Sequence, residues 1–392
     1  MSKKYAKIET QLIHAGEPKD RMHGAVVMPI FQSAMYEFNT EGQGYHDVKY
    51  IRLSNSPNHE SLHKKLAALE NAEAALVTAS GMAAISTALL SVLKAGDHLL
   101  VQDCLYGGTY SFITNDFGRF GVSFDFIDAN DPDSWQAKLR PNTKAIYVES
   151  LTNPLLQVCD LPAVVVFAKA NHLVSLIDNT FTGPINYRPI EHGFDLSLHS
   201  ATKSLNGHSD IVAGVIAGGA EHVKNCEHLL SHLGGSMDPH AAFLLHRGIK
   251  TLALRMNYQN ESTLKIAQFM EQHPAVVKVN YAGLQSHPHF RRAKELFKGC
   301  GGVFSFELKG GVEAARRFID RVKLPVIAPS LGGVETLVTR PVLTSHSGMT
   351  PEEREKAGVT DGLVRISVGI EATEDIIEDF GQALAGFTER LS

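Results

Sequence analysis

The chain has 392 residues, 44% of them hydrophobic and 20% charged, which is the composition of a globular protein long enough to bury a large core. Its formal net charge of -5 argues against a general nucleic-acid or membrane-surface binder. Four scattered cysteines without a Cys-x-x-Cys pair argue against a disulfide framework or a zinc knuckle, and the lack of a long apolar run predicts a cytoplasmic protein.

The first segment, residues 1–57, contains few periodic stretches, and we interpret it as an extended N-terminal arm. The pattern changes at Asn58, because Leu62, Leu66 and Leu69 then recur at the spacing of one helix face. A folded domain is therefore predicted to begin there.

Apolar segments typical of buried strands alternate with helical patterns along the next part of the chain. The predicted strands are AALVT (74–78), HLLVQD (98–103), VSFDFID (122–128), TKAIYVES (143–150), LVSLID (173–178), DLSLHS (195–200) and DIVAGVIAG (210–218). A helix is expected to open at Ser80, and another covers 161–172. Strands separated by helices imply crossover connections and a mostly parallel sheet, so we predict an α/β domain over 58–250.

The C-terminal part has a different order of elements. One long helix is predicted from about His240 to Gln272. Beyond it, the strand-like segments VVKVNYA, GGVFSFELK and LVRISVG mix with the helical segments VEAARRFIDRV and EDIIEDFGQALAGF. This mixture predicts a smaller α+β domain over 251–392.

Lys203 follows a predicted strand and has hydroxyl side chains nearby at Ser200, Thr202 and Ser204, with no acidic residue within six positions. Desolvation without a counter-ion lowers the pKa of a lysine, and the neutral amine can then form a Schiff base. The alternative is an exposed loop lysine. Evidence from other parts of the sequence is needed to distinguish a reactive amine from an exposed loop lysine.

Asp178 ends an apolar strand upstream of this lysine. Enzymes that use pyridoxal phosphate (PLP) need a Schiff-base lysine and an acid that keeps the pyridine nitrogen protonated. Asp178 fits the second role, although an aspartate at the end of a strand is also a common turn residue.

A phosphate site is predicted where Ser80, Gly81 and Met82 open a helix. Ser80 is a plausible N-cap, glycine allows close approach of the backbone, and the free N–H groups favour an anion. Ser200 and Thr202 could add donors, and Arg52 could add charge. The alternative is an ordinary capped helix.

Two further side chains, Tyr106 and Arg365, are candidates for contact with a ligand. Tyr106, in LYGGTYSF, could stack on a planar cofactor, but it could equally be a core residue. Arg365 lies inside the apolar segment LVRISVG, where an unpaired charge is costly. Its partner is expected to be a substrate carboxylate, with a structural ion pair as the alternative.

The chain resembles the PLP-dependent enzymes of cysteine and methionine metabolism. This family includes cystathionine γ-synthase, cystathionine γ- and β-lyases and methionine γ-lyase. The motifs that carry the resemblance are YIRLSNSP, SGMAAI, LYGGTY, ESLTNP, DNTF, SATKSLNGHSD, RGIKTLALRM, SLGGVETL and LVRISVGIE, in family order over nearly the whole chain.

The resemblance implies a fold-type-I architecture like that of aspartate aminotransferase, with a large PLP domain and a smaller C-terminal domain. It also implies that Lys203 is the Schiff-base lysine and proton shuttle, that Asp178 is the partner of the pyridine nitrogen, and that Tyr106 stacks on the ring. The residues implied for the phosphate cradle are Ser80, Gly81, Met82, Ser200 and Thr202, and Tyr50 and Arg52 are implied to reach the phosphate of a neighbouring subunit. The implied substrate-binding residues are Asn153, Ser330 and Arg365. A shared site implies a homo-oligomer, either a dimer or a tetramer.

Three positions depart from common family patterns. Ser204 replaces a tyrosine, Gly108 replaces the reactive cysteine of methionine γ-lyases, and Pro329 replaces a glutamate of many cystathionine-handling members. Gly108 should leave room beside Tyr106, and Pro329 should make one wall of the pocket less polar. We therefore expect a carbon–sulfur lyase of the cystathionine type, with cystathionine γ-synthase-type γ-replacement on O-acyl-homoserine or methionine γ-lyase activity as alternatives.

Other classes of function have weaker sequence support. Ser200 and Lys203 also form the S-x-x-K motif of acyl-serine enzymes, but no K-T-G element follows. His228 and His232 have i,i+4 spacing without the glutamate of a zinc-protease motif. A non-catalytic PLP-binding or assembly protein is disfavoured because Lys203, Asp178 and Arg365 are all present.

Overall fold

The computed structural model describes residues 5–38, 41, 44, 47–345, 347–348 and 350–387. Parts of the predicted arm therefore lie outside the described residues. Within them, no helix is both long enough and apolar enough to cross a membrane. All four cysteines carry free thiols.

A seven-stranded sheet forms the centre of the first part of the chain. Its strands are β1 (Ala74–Thr78), β2 (His98–Gln102), β3 (Ser123–Ile127), β4 (Thr143–Glu149), β5 (Val174–Asp178), β6 (Leu196–Ser200) and β7 (Gly214–Gly218). Their order is β1-β7-β6-β5-β4-β2-β3, and only β7 runs antiparallel to its neighbours. The predicted mostly parallel α/β sheet is confirmed.

Helices cover both faces of this sheet, and their apolar sides complete its core. They are α2 (Pro57–Glu70), α3 (Gly81–Val92), α4 (Gly107–Ser111), α5 (Leu161–Ala170), α6 (Gly183–Asn186), α7 (Ala220–Leu233) and α8 (Pro239–Ile249), with α1 (Ile8–His14) preceding them. The central strands are largely buried on both faces, which explains why apolar residues fill the middle of their sequences.

A second sheet lies in the C-terminal part. Its strands are β8 (Val276–Asn280), β9 (Val303–Leu308), β10 (Val326–Ile327), β11 (Leu337–Thr339) and β12 (Val364–Ser367), in the order β10-β11-β12-β9-β8. The helices of this part are α9 (Leu252–Gln272), α10 (Phe290–Leu296), α11 (Gly311–Arg321), α12 (Pro351–Lys356) and α13 (Thr373–Leu384). Strands β10 and β11 were not predicted, because two or three residues are too few to show a period.

The predicted domain boundary at residue 251 does not separate two independent apolar cores. Leu252 and Met256, in the first turns of α9, pack into the same apolar cluster as Leu66 of α2 and Val77 of β1. The predicted division into 1–57, 58–250 and 251–392 stays a prediction.

The predicted single helix from His240 to Gln272 is wrong in one detail, because α8 and α9 are separate helices. The carbonyl of Gly248 accepts hydrogen bonds from the Arg255 guanidinium, at 2.9 Å, and from the N–H of Thr251, three residues ahead. This tighter turn interrupts the regular i to i−4 ladder.

The interpretation of residues 1–57 as purely extended is also wrong, because α1 lies within them. Leu12 of α1 is buried against Leu62 and Leu66 of α2. The carbonyls of Leu12 and Ile13 accept hydrogen bonds from the buried Nζ of Lys65, at 2.9 and 3.3 Å. Tertiary contacts thus stabilise a seven-residue helix that is too short to show a clear period.

Candidate active site

A cavity of about 730 Å³ lies at the carboxyl ends of β4, β5 and β6, where α/β proteins commonly bind ligands. The C-terminal part of the chain closes its other side. The cavity brings together eleven of the predicted residues: Ser80, Gly81, Met82, Tyr106, Asn153, Asp178, Ser200, Thr202, Lys203, Ser330 and Arg365.

Lys203 presents its amine to this cavity from the turn that follows β6. Its Nζ donates a hydrogen bond to Oγ of Ser330 at 2.8 Å. No ion pair of Lys203 is present among the described residues. Burial, with a smaller contribution from the positive charge of Arg365, lowers the pKa of Lys203 from 10.5 to about 8. A substantial fraction of the amine is therefore neutral near physiological pH.

The backbone around Ser330 is shaped to reach Lys203. Ser330 has a φ of 110°, which is uncommon for a residue with a side chain. Two residues later, Gly332 has a φ of +74°, and a Cβ there would lie 2.6 Å from the backbone nitrogen of Ser204. Only glycine allows the two backbone segments to approach so closely. This close packing links the SLGG segment to the lysine turn.

Asp178 is fixed by its neighbours on one side and faces the cavity. Its Oδ1 accepts hydrogen bonds from the N–H and the hydroxyl of Thr180, at 2.9 and 2.5 Å. Burial raises the pKa of Asp178, and the two Thr180 hydrogen bonds and His199 act in the opposite direction. Thr180 was not predicted as a site residue, although it lies two positions after Asp178 in the quoted DNTF motif.

The start of α3 forms a cradle against the end of β6. Ser80 is the N-cap, and its Oγ accepts a hydrogen bond from Ala83 N at 3.0 Å. The next two N–H groups, of Gly81 and Met82, are ones that an α-helix leaves without an intrahelical partner. A Cβ at Gly81 would lie 2.8 Å from the Ser200 side chain, so glycine is needed for this approach.

The two predicted hydroxyl donors of the cradle, Thr202 and Ser200, differ in whether their protons are still available. Thr202 Oγ1 accepts from Ala213 N at 2.9 Å and donates to Ala213 O at 3.2 Å. The hydroxyl proton of Thr202 is therefore already used. The same pair of hydrogen bonds turns the chain before β7, which begins at Gly214 and not at Asp210 as predicted. In the described part of the chain the hydroxyl of Ser200 makes no hydrogen bond, so it remains available as a donor.

Arg365 is 4% exposed on β12 and has no acidic partner among the residues that the structure describes. Its guanidinium donates to Asn153 Oδ1 at 3.1 Å and to the carbonyl of Ser330 at 2.8 Å, whereas its buried Nε has no partner there. Burial lowers the pKa of Arg365 to about 10. A buried cation with a spare donor fits a bound carboxylate better than a structural ion pair does.

Tyr106 lies in the wall of the cavity and is 43% exposed, so it is not a core residue. The expectation that Gly108 leaves room beside it is wrong. A Cβ at position 108 would lie 2.6 Å from the Tyr106 ring and 3.2 Å from Met82 Sδ. The Tyr106 ring itself occupies the space that a larger residue at 108 would need.

One buried acid in the cavity, Glu149, was not predicted. It is the last residue of β4 and lies inside the quoted ESLTNP motif. A carboxyl group at the end of an apolar strand was available as a sequence signal, just as it was for Asp178. From this motif, only Asn153 was predicted as a site residue.

Tyr50 and Arg52 do not line the cavity of their own chain. Arg52 donates to the carbonyl of Ser231 at 2.8 Å, and its guanidinium lies 5.4 Å from the centre of the Tyr50 ring. Both residues lie on the arm: Arg52 is within a short 3-10 turn over Ile51–Leu53, and Tyr50 directly precedes that turn. Their predicted role toward a neighbouring subunit stays a prediction.

The alternative classes have little geometric support. Ser200 ends a strand, whereas S-x-x-K chemistry needs its serine at the start of a helix. The rings of His228 and His232 pack edge to face at 4.6 Å on α7. Within the described ranges, no group of three or more potential metal ligands comes together.

The chain is similar to known proteins over nearly its whole length. The model of the family described as Cys/Met metabolism PLP-dependent enzyme matches residues 9–385. An L-methionine gamma-lyase of Treponema denticola is 40% identical over 95% of both chains. A cystathionine gamma-lyase of Bacillus subtilis is 42% identical over 96% of this chain and 99% of its own.

A similar solved structure is that of cystathionine gamma-lyase from Lactobacillus plantarum complexed with L-serine. It has a TM-score of 0.92 and 36% sequence identity, and the match covers 97% of this chain and 99% of the other. The fold of the whole chain, and not only one domain, is therefore shared with that protein.

Proposed function

The chain belongs to the Cys/Met metabolism PLP-dependent enzymes and is a PLP-dependent carbon–sulfur lyase, and from this premise we propose that it cleaves thioether amino acids of the cystathionine type. The observation that supports the site assignment is the juxtaposition, in one cavity, of the Lys203 amine with Ser330 and with the Arg365 guanidinium, which has no acidic partner among the described residues. The residue roles that follow are part of this proposal.

The side chains of the cavity fit PLP. Gly81 leaves a cradle that a Cβ would fill, and the open N–H groups of α3 suit a phosphate. Asp178 suits the pyridine nitrogen, and Lys203 suits the aldehyde. When bound, PLP supplies an electron sink that stabilises negative charge at the substrate α-carbon.

The other steps belong to residues of this chain. Arg365 and Asn153 bind the substrate carboxylate and orient the α-hydrogen. Lys203, held at 2.8 Å by Ser330, accepts that proton because its pKa is about 8. Once Lys203 has released this proton and is neutral again, it can remove a second proton from Cβ when the sulfur leaves from Cγ. Tyr106, in the cavity wall, can assist departure of the thiolate.

The substrate proposal depends on the outer wall of the cavity. Pro329, Leu343 and Val212 line it, and all three are apolar. A long thioether can contact this wall with its methylene groups. The distal ammonium of cystathionine, however, finds no carboxylate at position 329, so we expect weak ground-state affinity with usable turnover. Methionine γ-lyase and O-acyl-homoserine γ-replacement activities remain the alternative outcomes.

A product assay tests the proposed function. Cystathionine, methionine, homocysteine, and O-acyl-homoserine with cysteine are supplied separately, and pyruvate, 2-oxobutyrate and new thioether are quantified. We expect a 2-oxo acid and a thiol from cystathionine, with pyruvate for β-cleavage and 2-oxobutyrate for γ-cleavage. New thioether without a 2-oxo acid would contradict the lyase assignment in favour of γ-replacement.

Substitution of Pro329 should change substrate preference. The variant Pro329→Glu is expected to lower KM for cystathionine about tenfold and to leave KM for methionine nearly unchanged, because only cystathionine carries a distal ammonium. Steady-state kinetics with both substrates measure this. The matched variant Pro329→Gln separates charge from size. Equal effects of Glu and Gln, or equal effects on both substrates, would show that position 329 does not face the distal group.

The pH dependence of PLP uptake tests the lowered pKa of Lys203. Only the neutral amine attacks an aldehyde, so uptake by the apo-protein should be slow at low pH and rise to a plateau with a midpoint near 8. Stopped-flow absorbance at a series of pH values gives this midpoint. Arg365→Met removes the neighbouring positive charge and should shift the midpoint upward. A wild-type midpoint near 10.5 would contradict the assignment.

We also propose that the enzyme is a cytoplasmic homo-oligomer, with Tyr50 and Arg52 reaching the PLP phosphate of a neighbouring subunit. Neither residue lines its own cavity, and exposed apolar side chains on the arm, such as Val26 and Met35, suit contact with a second copy.

Subunit mixing tests this arrangement. When Arg52→Ala and Lys203→Ala proteins exchange subunits, each mixed dimer should regain one intact site. Random exchange should then restore about one quarter of wild-type activity. Each variant mixed with itself is the control. Mass spectrometry first verifies that the subunits have exchanged. If activity still does not recover, Arg52 belongs to the site of its own subunit.

A further inference from the structure

Glu149 is a buried acid between two residues of the proposed cofactor site. It is 3% exposed and lines the cavity at the end of β4. Its Oε1 accepts a hydrogen bond from the backbone N–H of Tyr106 at 2.6 Å. Its own N–H donates to Gln102 Oε1 at 2.9 Å. The carboxyl group therefore holds the start of the Tyr106 turn against the sheet.

The same group is the cross-strand neighbour of Asp178. Strands β4 and β5 are parallel, and Glu149 pairs with Asp178 in their register. Neighbouring strands lie about 4.8 Å apart, so these two side chains are adjacent on one face of the sheet. Glu149 thus lies between the backbone that carries the proposed ring-stacking residue and the proposed partner of the ring nitrogen.

The surroundings of Glu149 favour a neutral carboxyl group. Burial, and then the negative charge of Asp178, raise the pKa of Glu149 well above its usual value, and only the hydrogen bond from Tyr106 acts against them. The other titratable groups that face it are Tyr147 on β4 and Cys104, and both are acids. In the described part of the chain no cation contacts Glu149.

We propose that Glu149 is a positioning residue: its carboxyl oxygen accepts the hydrogen bond from the Tyr106 N–H and so fixes Tyr106 for ring stacking, next to the strand end that carries Asp178. This inference rests on the proposed roles of Tyr106 and Asp178. An amide of the same shape keeps this acceptor and should therefore replace Glu149, whereas a truncated side chain should not.

The first test compares Glu149→Gln with Glu149→Ala by their binding of PLP and not by turnover. The glutamine keeps a carbonyl acceptor and a neutral group, so its Kd for PLP and the circular dichroism of the bound chromophore should match wild type within about twofold. The alanine should weaken PLP binding about tenfold and alter that dichroism, because Tyr106 loses its anchor. Glu227→Ala, on α7 and outside the cavity lining, is the control.

The second test distinguishes positioning from a general loss of packing. If Glu149 acts through the Tyr106 ring, then Tyr106→Ala combined with Glu149→Ala should bind PLP no more weakly than Tyr106→Ala alone. Additive losses would overturn the inference. So would a glutamine variant that binds as poorly as the alanine variant, or an alanine variant that binds like wild type. Failure of the wild type to bind PLP would instead refute the proposed function.

Discussion

Lys203→Ala is expected to reduce turnover of any substrate about 10³-fold or more, because it removes both the covalent anchor of PLP and the proton acceptor. The structure offers no substitute, since Lys203 is the one lysine among the described residues that line the cavity. The side chain that contacts its amine, Ser330, has no comparable basicity. PLP should still enter the cavity through the phosphate cradle, but borohydride should no longer fix it to the protein.

Lys144→Ala is the matched control for this variant. Lys144 lies on β4 of the same sheet with an exposed side chain, and it does not line the cavity. Turnover and borohydride trapping should both stay at wild-type levels in this control. If Lys203→Ala retained its trapped cofactor or more than a tenth of its turnover while far-ultraviolet circular dichroism showed a native fold, Lys203 would not be the amine of the site.

The second large effect is expected for Asp178→Asn, which should slow exchange of the substrate α-proton about 10²-fold or more while PLP still binds. An asparagine oxygen can accept the two hydrogen bonds that Thr180 donates to Oδ1, so the local geometry should persist. What is lost is the negative charge that holds a proton on the ring nitrogen. The variant therefore separates binding from activation of the α-carbon.

The exchange rate is measured by NMR in deuterated water with an amino acid that does not react further. Asp195→Asn is the control, because Asp195 also accepts hydrogen bonds near a strand of the same sheet, from the N–H and hydroxyl of Ser175, but lies outside the cavity lining. Exchange at the wild-type rate in Asp178→Asn would reduce Asp178 to a turn residue.

Local sequence patterns predicted much of the first sheet and of the cavity. Strands β4 to β6 are rich in apolar residues, and each ends in a polar residue at the same edge. In a parallel sheet this edge is shared, so Asp178 and the lysine turn could be expected to meet. The cradle followed from Ser80 and Gly81, because N-capping is a local property.

Contacts between distant parts of the chain could not be predicted in this way. The hydrogen bond from Lys203 to Ser330 joins residues 127 positions apart, and no period in the sequence links them. The bond from Tyr106 N to Glu149 spans 43 positions, so this contact could not be predicted even though the strand end at Glu149 was visible in the sequence. The same reason explains the error at Gly108, where the folded position of the Tyr106 ring decides how much space is left.

The central claim is that the amine in this cavity, on Lys203, carries the cofactor of a carbon–sulfur lyase. The most direct measurement is borohydride reduction of the wild-type protein with bound PLP, followed by proteolysis and mass spectrometry. The account predicts one reduced pyridoxyl-phosphate adduct per chain, on the peptide that contains Lys203, and its disappearance when a thioether substrate is added before the reductant. An adduct on any other lysine, or none on Lys203, would contradict it.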